Sequence, residues 1–187
     1  MPSSPKIPKE VILENALTVL RRDGYESVNI KSVAKEIGCS TQPISWHFGN
    51  MDGLRRELSE YARTVAVKTI TAVSTYGIEG FLELGVNYIK LAIEDKNLFH
   101  YIFMNGCGNY VADNLSAFSL SGDNALITQS ISDALGISKE QAARSIEDMS
   151  VYANGLATYI ATGVLSITID EAKERLYTVG KALFTNK

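Results

Sequence analysis

The stretch CSTQPISWHFGN, residues 39 to 50, gathers the side chains whose types could do chemistry. Gln42 carries an amide that can bond bidentately to an adenine edge, discriminating bases by about 1–3 kcal/mol, or it is a solvated surface amide. Trp46, the only Trp, can stack on sugar and phosphate or wedge a small core. His47 offers a general base. Catalysis needs a Ser, Cys or carboxylate at a fixed motif spacing from it, and none stands there. The chain has no Gly-rich phosphate loop and no nucleophile elbow. His100 sits among apolar neighbours and reads as structural. The two His and two Cys are scattered, with no zinc-ligand spacing and no disulfide framework. Cys107 reads as a loop thiol open to oxidation. An enzyme, a metal and a cofactor are therefore not expected.

A second group is aromatic. Tyr88, Phe99, Phe103, Met104, Tyr110, Tyr152 and Tyr159 recur through the C-terminal two thirds of the chain. They read as plain core, or as the lining of a pocket for an apolar or aromatic molecule that Asn105 and Asn154 would orient.

Helices must position both groups. Residues 9–22 place Leu13, Ala16, Leu17 and Leu20 on one face, and Gly24 stops them. Asn29 is the predicted N-cap of a two-turn helix with Ile30, Val33, Ala34 and Ile37 inward, closed by Gly38. Ser40 is the predicted N-cap of the next short helix, which reaches His47 and holds Pro43 in its first turn. Asn50 opens a longer helix through Val65. Two short helices around Gly38-Cys39-Ser40 make a helix-turn-helix, with Thr41, Gln42, Ser45 and Trp46 on the rim where base edges are met. The spacing further predicts helices over 81–95, 97–103, 123–135 and from Ser138 to about Leu165, the last opened by a Ser138/Gln141 capping box. MNGCGNYVADNLSAFSLSG reads as a loop. Thr168 and Glu171 open the final helix, whose stripe Ala172, Leu176, Val179 and Leu183 can seat against a partner helix.

The fold class is therefore all-α, with residues 1–50 as a helix-turn-helix domain and 51–187 as a helical effector-binding and dimerisation domain. The net charge is −3. The first 60 residues hold eight basic and eight acidic side chains, which leaves ten and thirteen for the rest. DNA binding through this head must rest on placed cations and amide dipoles, not on a broad positive field. No apolar run of about 18 residues exists, so no membrane span is expected. MPSSPKIPKE has no apolar core of a secretory signal, and the expected compartment is the cytoplasm.

VNIKSVAKEIGCSTQPISWHFGNMDGL resembles the DNA-binding segment of the TetR family of bacterial regulators, matching at Ala34, Gly38, Ser40, His47, Phe48, Asn50 and Leu54. YIKLAIEDKNLFHYIF and YANGLATYIATG look like family helices that line the ligand pocket and build the dimer. The resemblance implies a homodimer, joined through the last two helices, on a palindromic double-stranded operator, released by a small apolar or aromatic effector. It implies that Thr41, Gln42, Pro43 and Trp46 face bases and that His47, Asn29 and Lys31 contact phosphate, with Ser40 and Ser45 in the same surface. Ser45 stands where the family has Tyr, and Met51 where it has Lys; Lys31, Lys35 and Arg55 are the cations left to compensate. The alternative is a protein-interaction module whose helix-turn-helix is only structural.

Overall fold

The computed structural model describes residues 7–104 and 124–185. Every regular element among these residues is helical, as the periodicity predicts. The helices are α1 (Lys9–Asp23), α2 (Ile30–Ile37), α3 (Gln42–Phe48), α4 (Met51–Ile70), α5 (Gly77–Glu94), α6 (Lys96–Phe99, widening into a π turn over His100–Met104), α7 (Asn124–Leu135), α8 (Lys139–Ala161) and α9 (Ile169–Thr185).

Two compact units result. One takes the chain up to Ala66 and the segment beginning at Asp95; the other takes Val67–Glu94 and the C-terminal helices. The motif boundary at residue 50 and the packing boundary thus fall at different places. The reason is visible in α1, which is tied to the segment after Asp95. Arg21 ion-pairs with Asp95 at 2.6 Å, Asn97 donates to the Arg21 carbonyl at 2.8 Å, and Tyr25 stacks on Tyr101 at 4.8 Å between ring centroids.

In the first unit α1 buries Ile12, Leu13, Ala16, Leu17, Val19 and Leu20, and α2, α3 and α6 pack against it. Val33, Ala34, Ile44, Phe48, Leu54 and Leu58 complete that core. Each fully buried Ile or Leu there stabilises by roughly 1.5–3 kcal/mol, which is what two helices of eight and seven residues need, being unstable alone. Local chemistry sets their ends. The Asn29 Oδ1 accepts from the N–H groups of Lys31 and Ser32 at 3.0 Å, while the Ser32 hydroxyl accepts from the Asn29 N–H at 2.9 Å. Gly38 closes α2 in the left-handed conformation, φ 77° and ψ 34°, which brings the Cys39 N–H to the Ala34 carbonyl at 2.9 Å.

The start of α3 differs from expectation. Ser40 does not cap it; the flanking residue is Thr41, and its hydroxyl caps nothing either. Pro43 explains this. It is the second residue of the helix and has no N–H, so one of the two donors a cap normally satisfies is missing. Asn50 does cap α4, accepting from the Gly53 N–H at 3.0 Å.

In the second unit α5 packs on α7, α8 and α9. The Ser138/Gln141 and Thr168/Glu171 boxes form as predicted, and α8 ends at Ala161, four residues before Leu165. Ala172 and Leu176 of the α9 stripe are buried within the chain, and Val179 and Leu183 are half-buried, so much of that stripe is already seated on α5 and α8. Gly180 permits the close crossing: a Cβ there would stand 2.7 Å from Leu82 Cδ2.

Candidate nucleic-acid interface

The helix-turn-helix displays a polar row above an apolar one. Ile44 and Phe48 are buried, while Gln42, Ser45 and Trp46 on the same short helix and the flanking Thr41 are exposed, with Pro43 half-buried between them. Ser40 is exposed beside them. Trp46 is 60% exposed and so takes no part in the core of the head. The Gln42 amide has no hydrogen-bond partner among the described residues, leaving its full donor and acceptor set available. Asn29 and Lys31 are exposed at the start of α2, where the partial positive charge of a helix N-terminus favours anions. The Asn29 oxygen is spent on its own cap.

The cations divide into free and engaged. Lys31 and Lys35 are exposed and make no ion pair among the described residues. Arg55 lies over the Tyr25 ring, 5.7 Å from its centroid, and 3.6 Å from Asp52, so it is already occupied. Arg22 forks to both Asp23 and Glu36 at 2.8–3.1 Å, joining the end of α1 to α2, and it holds both carboxyl groups below their usual range. His47 is half-buried; its Nε2 stands 2.9 Å from the Ile7 carbonyl oxygen, and its ring meets Trp46 edge-on at 4.9 Å. Sequence reasoning missed the Ile7 contact, because nothing local links two residues forty positions apart.

The proposed effector residues fall into smaller groups. Phe99, fully buried, meets Phe103 at 5.1 Å in the first unit, where Met104 is half-buried. In the second unit the Tyr88 hydroxyl donates to Asn154 Oδ1 at 2.9 Å, and burial pushes the Tyr88 phenol well above its ordinary pKa. Tyr152 is half-buried, while Tyr159 is 56% exposed on the outer side of α8. Tyr110, Asn105 and Cys107 lie outside the described residues. A cleft of about 450 Å3 in this unit is lined by Ile78, Leu82, Leu135, Tyr177, Gly180 and Phe184 among others, and by none of the predicted effector residues. The described residues contain no cluster of His, Cys, Asp and Glu able to hold a metal, and no helix long and apolar enough to cross a membrane.

Residues 12–58 match the family model described as bacterial regulatory proteins, tetR family. No curated protein matches the chain. Solved structures match over nearly its whole length. A TetR-like transcriptional regulator from Rhodococcus sp. RHA1 superposes with a TM-score of 0.61 at 13% identity, covering 97% of this chain and 100% of that one. A protein with unknown function from the same organism gives 0.62 at 20% identity, covering 99% and 100%. A TetR variant from Acinetobacter baumannii AYE, in complex with minocycline, gives 0.56 at 14% identity, covering 96% and 95%. Residues 12–58 thus carry the domain that the tetR family model describes, and the chain as a whole shares the fold of these solved structures.

Proposed function

We propose that the chain is a transcriptional regulator of the TetR family that binds a palindromic operator as a homodimer, through α3 in the major groove, and represses until a small apolar or aromatic effector releases it. The observation that carries this reading is the exposed row Thr41, Gln42, Ser45 and Trp46 above the buried Ile44 and Phe48. An unpartnered amide one helical turn from a 60% exposed indole leaves hydrogen-bonding groups and a stacking surface open to a partner. The unpaired Lys31 and Lys35 supply the phosphate-facing charge that a head of zero net charge must place rather than spread.

Dimerisation is supported by the outer side of α8. Val151 and Tyr159 are 52% and 56% exposed and eight residues apart, so they share a face with Gly155 between them. Two heads must then span half-sites about 34–36 Å apart, and an effector acts by favouring a spacing that does not fit. A small-molecule effector is supported by the minocycline bound to the Acinetobacter structure and by the Tyr88–Asn154 pair, a half-buried phenol hydrogen-bonded to an amide. The site has no catalytic constellation, and a non-enzymatic role in the cytoplasm follows from the reading.

The test is selection of binding sites from random double-stranded DNA, followed by titration of the winner at two salt concentrations with Trp46 emission as reporter. A palindromic winner, a Trp46 signal and a steep salt dependence support the proposal. If no sequence is enriched and Trp46 is silent, α3 is scaffold and the partner is a protein.

A further inference from the structure

The imidazole of His47 is committed on one side. Its Nε2 stands 2.9 Å from the main-chain oxygen of Ile7. A carbonyl oxygen only accepts, so Nε2 carries the hydrogen. In the neutral ring Nδ1 is then a bare lone pair, and a phosphate oxygen facing it also offers only lone pairs. Neutral His47, held this way, cannot donate to phosphate. The imidazolium can, through Nδ1–H, in a charge-assisted bond. The Ile7 contact thus sets a condition on the phosphate role that the family resemblance does not contain.

We infer that operator binding is coupled to the uptake of one proton per head at His47, with the Ile7 carbonyl as the group that imposes the coupling. The inference rests on the DNA-binding reading above. It makes the operator affinity pH-sensitive through a bond inside the protein, not through a general change of charge. Charged groups on the elements around His47 are Lys9 and Glu10 at the start of α1, Lys31, Lys35 and Glu36 on α2, and Asp52, Arg55, Arg56 and Glu57 at the start of α4. Lys9 is paired with Glu57 and lies over the Phe48 ring, and Asp52 is paired with Arg55. Among the described residues none of these is bonded to the His47 ring, so the proton has no carboxylate waiting for it in the free head. Phosphate is the anion that completes the site.

The experiment is operator affinity, by anisotropy of the selected labelled duplex, from pH 5.5 to 8.5 at constant ionic strength. Trp46 emission in the free and bound protein is followed in parallel. Imidazolium quenches indole, the two rings are 4.9 Å apart, and Trp46 is the only Trp, so its emission reports His47 ionisation directly. Affinity should fall as pH rises through the range where His loses its proton, by about tenfold per head in all. The midpoint of the Trp46 quench should move up on adding duplex. His47→Gln should bind weakly with a flat profile, and His47→Arg, charged throughout, should be flat and stay tight at pH 8.5. His100→Gln should keep the wild-type slope. Selective binding with a flat wild-type profile, or a His47→Gln slope equal to the wild-type slope, overturns the proton coupling and leaves the DNA-binding reading standing. Absence of selective binding at every pH overturns the DNA-binding reading, and the coupling falls with it.

Discussion

The recognition segment and the proposed effector residues are built by opposite means. Asn29 to Asn50 is a continuous stretch whose helix ends are set by near neighbours: an amide caps the helix two and three residues on, a left-handed glycine closes it, and a proline shapes the next start. The effector residues come from distant parts of the chain. Tyr88 and Asn154 meet only because α5 packs on α8, sixty-six residues away. A function carried by a local motif tolerates drift everywhere else. One assembled across helices is tied to how those helices cross.

The largest effect that sharpens this contrast separates the inner and outer rows of the helices. Ile44→Ala in the head and Leu176→Ala in the second unit each remove a fully buried side chain, and each should cost about 2–5 kcal/mol in urea unfolding. Gln42→Ala, two residues from Ile44 but exposed, should leave stability within about 0.5 kcal/mol. Comparable losses at positions 42 and 44 would mean that α3 has no free face, and the contrast would collapse.

On DNA the same pair of rows reverses its importance. Gln42→Ala should relax discrimination at one base pair by about 1–3 kcal/mol while binding to random duplex is unchanged. Lys31→Ala should weaken every duplex alike and reduce the salt slope by about one. Competition assays at two salt concentrations check both. Equal losses on operator and random DNA for Gln42→Ala would place Gln42 among the backbone contacts.

Tyr88→Phe probes the assembled region. It leaves the half-buried Asn154 oxygen without its donor and should cost about 0.5–1.5 kcal/mol of stability, with operator affinity unchanged in the absence of effector. Once an effector is found, its affinity should change with this variant. A variant that loses operator affinity without effector would show that Tyr88 supports the head's arrangement instead.

Much of the fold was legible in the sequence because the signals were local. Asn29, Gly38, Asn50, Ser138 and Thr168 mark helix ends by chemistry within three residues. Ser40 misled because an N-cap is judged by residue type, while the outcome depended on a donor that Pro43 lacks. The α9 stripe read as a seat for a partner helix, yet Ala172 and Leu176 are consumed inside the chain; a periodic stripe states that a face is covered, not by what. The His47–Ile7 contact and the α5/α9 cleft were not legible at all. The first depends on where the chain enters α1, and the second on Gly180 letting two helices cross closely over Leu82.

The smallest effect concerns the join between α1 and α2. Arg22 bonds Asp23 and Glu36, and its hydrogen bonds hold both carboxyl groups below their ordinary pKa. As the pH falls the unfolded chain takes up these protons first. The stabilisation is therefore present in full above the ordinary carboxylate range, and it is lost as acid titrates the folded pair. Asp23 is exposed and Glu36 partly so, and the contribution is small and screened by salt. Arg22→Ala should be slightly less stable than the parent near pH 7, and the gap should close in acid once the folded pair is protonated. Urea midpoints near pH 7 and in acid, at low salt, measure it. A gap of the same size in acid would mean that Arg22 acts through packing of its stem and not through its charge, and the junction would then be held like a core and not like a local motif.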